Sequence, residues 1–243
     1  MDLKRVTDYA LFLDLDGTLI DIAPTPADVV VPDSLARLLA DATERLNGAL
    51  AILTGRSIAD VDRHLAPLVP VAAGVHGAEI RTAPGHTIET KAAVIDAGTL
   101  NAVRDISYRE PGTLVEFKGA SIAVHYRMIP QAEARLEEAL QDIVAARSDS
   151  LMLCRGRKVL EIVPRHVSKG GALEVLMQLP VFRGKRPIVI GDDISDLSAF
   201  AAARRLGGRG YKVAGALFRS ADADFTDPTA VRAWLAAQFK RDT

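Results

Sequence analysis

Two carboxylates follow the first apolar stretch of the chain. Asp14 and Asp16 come directly after the run at 10–13, and Gly17 and Thr18 follow them. Side chains alternate along a strand, so residues i and i+2 point the same way, and like charges held together raise a pKa unless a cation neutralises them. A hard divalent cation such as Mg2+ takes oxygen ligands of this kind. The alternative is an ordinary strand-to-turn junction with solvated aspartates, since acids are common in turns.

Three further polar segments stand at the end of an apolar run or at the start of a helix. The segment 191–196 supplies three carboxylates after another apolar run, and one more carboxylate would complete a Mg2+ site. Thr54 offers hydroxyl and backbone N–H groups that suit a phosphate oxygen, and Lys169 offers a charge that suits a transferring phosphoryl group. Taken singly, these segments have plainer interpretations as an acidic turn, a helix cap and a solvated lysine.

The apolar runs predict the strands that position these groups. They lie at 10–13, 49–53, 69–75 and 187–190. Near-continuous apolar runs of this length are typical of strands covered on both faces, as in a parallel sheet. The polar segments therefore follow strands, and in α/β folds ligands bind at the carboxyl ends of the strands.

Helical periods separate the runs. One apolar stripe spans 35–46, and the segment 32–34 before it supplies a predicted N-terminal cap. Ser57 and Asp60 resemble a capping box in which the acid is Asp instead of the usual Glu. A last helix is predicted after Pro228. Strands that alternate with helices predict an α/β doubly wound core.

The middle of the chain has a different order and predicts a small inserted α+β domain. The predicted elements, in an αββαββ order, are a helix from about Ile95, strands at 113–117 and 121–127, a helix around 136–144, and strands at 151–155 and 158–163. The short segments 118–120 and 156–157 are predicted hairpin turns. We therefore predict a core of residues 1–85 and 164–243 and an inserted cap of residues 86–163.

Composition excludes several classes of protein. The chain has 243 residues, with 30 Lys and Arg against 31 Asp and Glu, and this balance argues against a general nucleic-acid binder. Cys154 is the only cysteine, so no internal disulfide can form. The longest stretch without charged residues, 64–78, is shorter than a membrane span, and no secretory signal is evident. We expect a cytoplasmic monomer that contacts neither nucleic acid nor membrane.

Taken together, the polar segments resemble the motifs of the haloacid-dehalogenase-like (HAD) phosphohydrolases. The segment 14–18, Thr54, Lys169 and the segment 191–196 match the four motifs in order. The resemblance implies an α/β fold, a HAD-like doubly wound parallel sheet core. The insert between the second and third motifs resembles the C2B-type cap of the sugar-phosphatase branch.

The resemblance implies a role for each matching residue. Asp14 is the nucleophile that forms an aspartyl-phosphate, and Asp16 is the acid that protonates the leaving oxygen and then the base that deprotonates water. Thr54 and Lys169 hold the phosphoryl oxygens. Mg2+ is the implied cofactor. Its implied ligands are Asp14, the backbone carbonyl of Asp16, and Asp192, with Asp193 and Asp196 in support.

Within that branch the chain resembles the trehalose-6-phosphate phosphatases. The matching segments are 75–79, 115–119, 123–127, 156–164 and 168–170. A sugar phosphate is therefore the expected partner, and a disaccharide needs many polar contacts. The substrate-binding candidates are Arg56, His76, Glu79, Lys118, His125, Arg127 and Glu161.

Some alternatives stay open at this point. Leu197 follows the last motif aspartate, where the family often carries an acid, and this departure weakens the assignment of the substrate. Another sugar phosphatase or a phosphomutase of the same cap type, a catalytically silent sugar-phosphate-binding protein, and a phosphoryl-accepting signalling domain are the competing functions. His64 and His86 have no supporting context, and we assign them no role.

Overall fold

The structure is a computed structural model that describes residues 5–23, 25 and 28–239. It divides into two compact units. One comprises the chain up to Glu89 together with the chain from Ser168 onwards, and the other is Thr90–Val167. The predicted cap, residues 86–163, differs from the second unit by four residues at each boundary.

Eleven strands and seven α-helices occur in these described residues. The strands are β1 (Tyr9–Leu13), β2 (Leu50–Leu53), β3 (Val71–Gly74), β4 (Glu79–Arg81), β5 (Glu89–Thr90), β6 (Leu114–Phe117), β7 (Ile122–His125), β8 (Leu151–Gly156), β9 (Val159–Pro164), β10 (Arg186–Gly191) and β11 (Arg209–Lys212). The helices are α1 (Leu35–Arg45), α2 (Ile58–Leu65), α3 (Ala97–Arg109), α4 (Glu133–Ala145), α5 (Lys169–Leu176), α6 (Asp196–Arg205) and α7 (Pro228–Phe239).

The core unit is built on a sheet in the order β11-β10-β1-β2-β3-β4-β5. The first five strands in this order run parallel, and β4 is antiparallel to β3. The four apolar runs predicted as strands form β1, β2, β3 and β10, and each is almost entirely buried. Since β1 lies between β10 and β2, the carboxyl ends of these three strands meet at one edge of the sheet.

The first helix of the core buries the predicted apolar stripe. Leu35, Leu39 and Ala42 of α1 are buried in the core. Ser34, in the predicted capping segment 32–34, is its N-cap residue, although its side chain makes no capping hydrogen bond. In α2, Oγ of Ser57 does accept a hydrogen bond from the backbone N–H of Asp60.

The second unit has its own sheet and its own core. The strand order is β6-β7-β9-β8, and all neighbouring strands are antiparallel. Alternate residues of the two central strands pack in one apolar cluster with α3 and α4. The central residues of that cluster are Ile122, Val124, Leu160, Ile162, Val103, Leu136 and Leu140. The residues between them leave the opposite face of the sheet free for polar side chains.

No helix in the described part of the chain is long and apolar enough to cross a bilayer. The first four residues, on which part of the prediction about a secretory signal rests, lie outside the described residues.

Candidate active site

Asp14 and Lys169 form a buried ion pair at the carboxyl end of β1. Nζ of Lys169 donates to Oδ1 of Asp14 at 2.8 Å and to Oδ1 of Asp196 at 2.7 Å. The side chain of Lys169 is only 3% exposed. The lysine is the first residue of α5, which begins there because Oγ of Ser168 accepts a hydrogen bond from the backbone N–H of Gly171.

Three carboxylates converge around this lysine. One oxygen each of Asp14, Asp192 and Asp196 lie within 4.8 Å of one another, and all three residues are buried. Two glycines make room for them. A Cβ at Gly17, whose φ is +78°, would collide with the carboxylate of Asp192, and a Cβ at Gly191 would collide with that of Asp196. Glycine is therefore required at both positions for these side chains to approach.

Burial has the largest effect on the pKa values of Asp14, Asp192 and Lys169. It raises the pKa of Asp14 well above its usual range, and the charges of Asp196 and Asp192 raise it further although Lys169 lowers it. Burial also raises the pKa of Asp192 to about 7, and the charges of Asp196 and Asp193 act in the same direction. By itself burial lowers the pKa of Lys169, but the charges of Asp14 and Asp196 outweigh it, and the net shift is upward.

The cluster fits a divalent cation. If Asp14, Asp192 and Asp196 were all ionised, the ammonium of Lys169 would leave two negative charges uncompensated in a buried place. Burial first, and then these neighbouring charges, raise the pKa values of Asp14 and Asp192. Carboxylate oxygens are the ligands that hard cations such as Mg2+ prefer. The oxygens of Asp196 also accept hydrogen bonds, one from Lys169 and one from the backbone N–H of Asp193 at 3.0 Å.

Asp16 lies close by in sequence but has a different partner. Its two carboxylate oxygens accept from Nε and Nη2 of Arg56 at 2.6 and 2.7 Å, which is a bidentate ion pair. The side chain of Asp16 is 34% exposed, whereas that of Arg56 is 8% exposed. A carboxylate offers about four lone-pair sites, so this pair leaves others for a substrate or for water.

The remaining core candidates surround the carboxyl end of β2. Thr54 is buried, and its Oγ1 accepts the backbone N–H of Arg56 at 3.1 Å. The backbone N–H of His76 donates to the carbonyl of Thr54, and the ring of His76 packs over Gly55. His76 adopts a left-handed backbone with φ of 56°. Glu79 instead accepts the backbone N–H of Ile58 at 2.7 Å, so its carboxylate caps the start of α2.

In the second unit, several predicted substrate contacts gather on the polar face of the sheet. Register places Glu116, Ala123 and Glu161 opposite one another on adjacent strands. Oε1 of Glu161 accepts from Nζ of Lys118 at 3.1 Å and from Oγ of Ser121 at 2.8 Å. We name the set Glu116, Lys118, Ser121, His125 and Glu161 the cap polar cluster.

His125 joins this cluster through Glu116. Its Nε2 lies 3.0 Å from Oε2 of Glu116, and Lys118 lies 3.8 Å from the same oxygen. Burial would raise the pKa of Glu116, but the hydrogen bond to His125 and the charge of Lys118 outweigh burial and lower that pKa. Sequence reasoning missed Glu116 and Ser121 as members, although Glu116 lies two residues before Lys118 on an alternating strand.

Other basic side chains of the cap hairpins lie elsewhere. Arg127, a predicted substrate contact, donates to the carbonyl of Arg157 at 3.2 Å and is not joined to the cap polar cluster by these contacts. Arg155 and Lys158 pair with Glu137 and Glu133 of α4, on the face of the sheet that carries the helices.

Comparisons with known proteins agree with the motifs. A family model described as Trehalose-phosphatase matches residues 12–224. A probable trehalose-phosphate phosphatase of Sinorhizobium fredii is 37% identical over 207 residues, which cover 85% of this chain and 78% of the relative. The trehalose-6-phosphate phosphatase of Escherichia coli is 40% identical over 214 residues, which cover 84% of this chain and 77% of that relative.

Solved structures confirm the predicted HAD-like fold. The C-terminal domain of a Candida albicans trehalose-6-phosphate phosphatase matches with a TM-score of 0.80 at 20% identity, over 98% of each chain. A haloacid dehalogenase-like hydrolase from Bacteroides thetaiotaomicron matches with a TM-score of 0.63 at 17% identity, over 94% of this chain and 99% of the other. With the family model and the two relatives, the resemblance found in the sequence is confirmed, and the chain belongs to the trehalose-phosphatase family.

Proposed function

We propose that this chain is a phosphoric monoester hydrolase that converts trehalose 6-phosphate to trehalose and phosphate. The observation that carries the proposal is the buried cluster of Asp14, Asp192 and Asp196 around Lys169, at the carboxyl ends of β1 and β10. Membership of the trehalose-phosphatase family and the names of the relatives support the choice of substrate.

In the first step Asp14 acts as the nucleophile. A carboxylate oxygen of Asp14 forms a bond to phosphorus, and the bond between phosphorus and the sugar oxygen breaks. Asp16 gives a proton to that oxygen, so trehalose leaves as a neutral alcohol. Lys169 already holds Oδ1 of Asp14 at 2.8 Å, which orients the carboxylate and places positive charge beside the reacting group.

In the second step water replaces Asp14 on phosphorus. Asp16, now ionised, takes a proton from the water while the bond between Asp14 and phosphorus breaks and phosphate forms. The hydroxyl of Thr54 lies at the end of the neighbouring strand β2, where it can hold a phosphoryl oxygen. The two acids are held by different cations, since Asp14 pairs with Lys169 and Asp16 pairs with Arg56.

Mg2+ is the proposed cofactor, with Asp14, Asp192 and the backbone carbonyl of Asp16 as its ligands. When bound, a divalent cation neutralises the charge that develops on the phosphoryl oxygens. Asp196 supports the site by holding Lys169 and the backbone N–H of Asp193. The uncompensated charge of the three buried carboxylates supports this assignment.

The cap polar cluster is the proposed source of sugar contacts. Its carboxylates accept hydrogen bonds, and Lys118 donates them, so together they suit the hydroxyl groups of a disaccharide. Its two carboxylates face the single ammonium of Lys118, and Glu116 also contacts His125, so the cluster suits a neutral sugar better than a second phosphate.

The test is phosphate release from four substrates with and without Mg2+. We expect release from trehalose 6-phosphate to be at least about tenfold faster than from sucrose 6-phosphate, glucose 6-phosphate or mannosyl-3-phosphoglycerate. Comparable rates on all four would contradict the substrate assignment. A sugar phosphate rearranged to a new position, without free phosphate, would identify a phosphomutase.

We also propose that the chain works as a monomer in the cytoplasm. The near balance of 30 basic and 31 acidic residues supports a further part of this proposal, that the chain needs no nucleic-acid or membrane partner. Light scattering of the purified chain tests the proposal of a monomer, and a mass of twice 26.0 kDa would contradict it.

A further inference from the structure

The guanidinium of Arg56 is held on two sides, and the proposed mechanism uses only one of them. Nε and Nη2 bind Asp16. On the other side, Nη1 donates to Oδ2 of Asp60 at 2.9 Å and lies 2.9 Å from Nε2 of His64. The two hydrogens of Nη1 therefore have two different partners. His64 was assigned no role from the sequence, and Arg56 was predicted to bind substrate.

The chemistry of the contact fixes the form of His64. A guanidinium nitrogen can only donate, so Nε2 of His64 must accept, and the ring must be neutral with its hydrogen on Nδ1. The pKa of His64 agrees with this form, because burial lowers it and the charge of Arg56 lowers it further, although the charges of Asp60 and Asp16 raise it. The side chain is 14% exposed.

The helix α2 gives these partners a rigid base. Residues 60 and 64 are one turn apart on α2, so their side chains share a face. Arg56 lies two residues before the first residue of α2, which begins where Ser57 caps its first turn. Asp60 is further held by an ion pair with the exposed Arg63.

We propose that His64 is a positioning residue for the reaction. Together with Asp60 it holds Nη1, so the guanidinium keeps the orientation in which its opposite edge binds both oxygens of Asp16. The direction in which Asp16 delivers and takes its proton is then set by α2. This inference rests on the proposed function, in which Asp16 is the acid and base. A misplacement of about 1 Å can cost about a hundredfold in rate.

The test compares two substitutions of similar size. His64→Leu removes the acceptor, whereas His64→Gln keeps an acceptor at a similar reach. We expect His64→Leu to lower kcat for trehalose 6-phosphate about tenfold with KM within about threefold, and His64→Gln to stay within about threefold of the parent in both, because only positioning is lost. If His64→Leu does not fold, His64→Asn, whose amide is too short to reach Nη1, replaces it.

A second arm shows whether His64 acts through Arg56. In an Arg56→Met background the clamp on Asp16 is already lost, so His64→Leu should cause no further loss of kcat. An equal loss in both backgrounds would mean a merely structural role and would overturn the inference. So would a kcat for His64→Leu within twofold of the parent, or a His64→Gln variant as slow as His64→Leu.

A third arm does not depend on turnover and separates this inference from the proposed function. The 15N NMR signal of the Nε–H of Arg56 reports the bond to Asp16. We expect a sharp signal in the parent and in His64→Gln, and a signal broadened by solvent exchange in His64→Leu. An unchanged signal would overturn the inference. A parent that releases no phosphate but shows these spectra would contradict only the proposed function.

Discussion

The core cluster (Asp14, Lys169, Asp192 and Asp196) and the cap polar cluster are both networks of acids around one lysine, but they differ in burial and in charge balance. Lys169 faces three carboxylates, Asp14, Asp192 and Asp196, at the ends of two parallel strands. Lys118 lies in the turn between β6 and β7 of an antiparallel sheet and faces Glu116 and Glu161, and His125 and Ser121 provide further partners.

The difference in charge balance predicts a difference in chemistry. In the core cluster the pKa values of Asp14 and Asp192 rise because the groups are buried and because neighbouring negative charges add to that effect, and a site of this kind suits a cation. In the cap polar cluster the pKa of Glu116 is lowered because its neighbours compensate it, and such a site offers hydrogen bonds. Substitutions in the core cluster should therefore change kcat, and substitutions in the cap polar cluster should change KM.

The largest effect is expected at the nucleophile. Asp14→Asn should lower kcat by at least about 10^4-fold because no carboxylate remains to form the phosphoryl intermediate. Asp8→Asn is a matched control, since Asp8 precedes β1 and is about half exposed, and it should leave kcat unchanged. Phosphate release checks both variants. Substantial turnover by Asp14→Asn would refute the assignment of the nucleophile.

Lys169 should give the next largest effect. Lys169→Met leaves two buried carboxylates without their cation, so we expect kcat to fall about 10^2–10^3-fold and the Tm to fall as well. Lys169→Arg keeps the charge and should recover part of the Tm but little of the activity, because its planar fork does not match a site built for an ammonium. Kinetics and thermal melts measure both. A fully active methionine variant would show that the ion pair does not serve the reaction.

Metal binding should depend on pH. Without metal, the folded chain holds the proton of Asp192 up to about pH 7, whereas the unfolded chain releases it near its usual value of 3.8, so this group lowers the free energy of unfolding as pH rises between those values. Mg2+ competes with that proton. Mg2+ at about 100 times its Kd adds about 2.7 kcal/mol, which is about 5–10 °C in Tm for a chain of this size.

We therefore expect the rise in Tm with Mg2+ to be larger at pH 8 than at pH 5.5, and to be largely lost in Asp192→Asn. Thermal melts with Mg2+ or with a chelator measure it. A rise of the same size at both pH values, or one that persists in Asp192→Asn, would count against a metal site at Asp192.

The cap polar cluster should give the smallest effect. Glu161→Gln should raise KM for trehalose 6-phosphate about tenfold and change kcat less than threefold, since a hydrogen bond to a charged group contributes about 1.5–3 kcal/mol. Glu137→Gln is a matched control, because Glu137 pairs with Arg155 on the other side of the sheet. Steady-state kinetics separates the two constants. A loss confined to kcat would remove the distinction between the two clusters.

Among the strands of the core sheet, the sequence predicted those that are apolar on both sides and missed those that are not. The strands β1, β2, β3 and β10 were predicted because their runs are continuous and apolar. Arg209–Lys212, which forms the edge strand β11, is polar and contains Gly210, so no periodicity indicates it. Likewise Glu79–Arg81 begins and ends in charged residues, although its last residue is buried against Asp62.

The candidate site was predictable as a set of motifs but not as a set of contacts. Asp14 follows a strand and Lys169 begins a helix, and these positions were assigned because together with the other motifs they resemble the HAD pattern. The pairing of Arg56 with Asp16 joins residues 40 positions apart and depends on how β1 and β2 pack. Asp60 was predicted as a capping acid, and its carboxylate binds Arg56 instead, because the guanidinium lies within its reach.

The most direct test of the central claim is to trap the phosphoryl group on Asp14. In Asp16→Asn with p-nitrophenyl phosphate and Mg2+, the leaving group needs no proton but the second step lacks its base. We predict a burst of about one nitrophenolate per chain, and mass spectrometry of the acid-quenched protein should place one phosphoryl group on the peptide that contains Asp14. Steady turnover without a burst and with that peptide unmodified, or a phosphoryl group on another residue, would contradict the proposed mechanism.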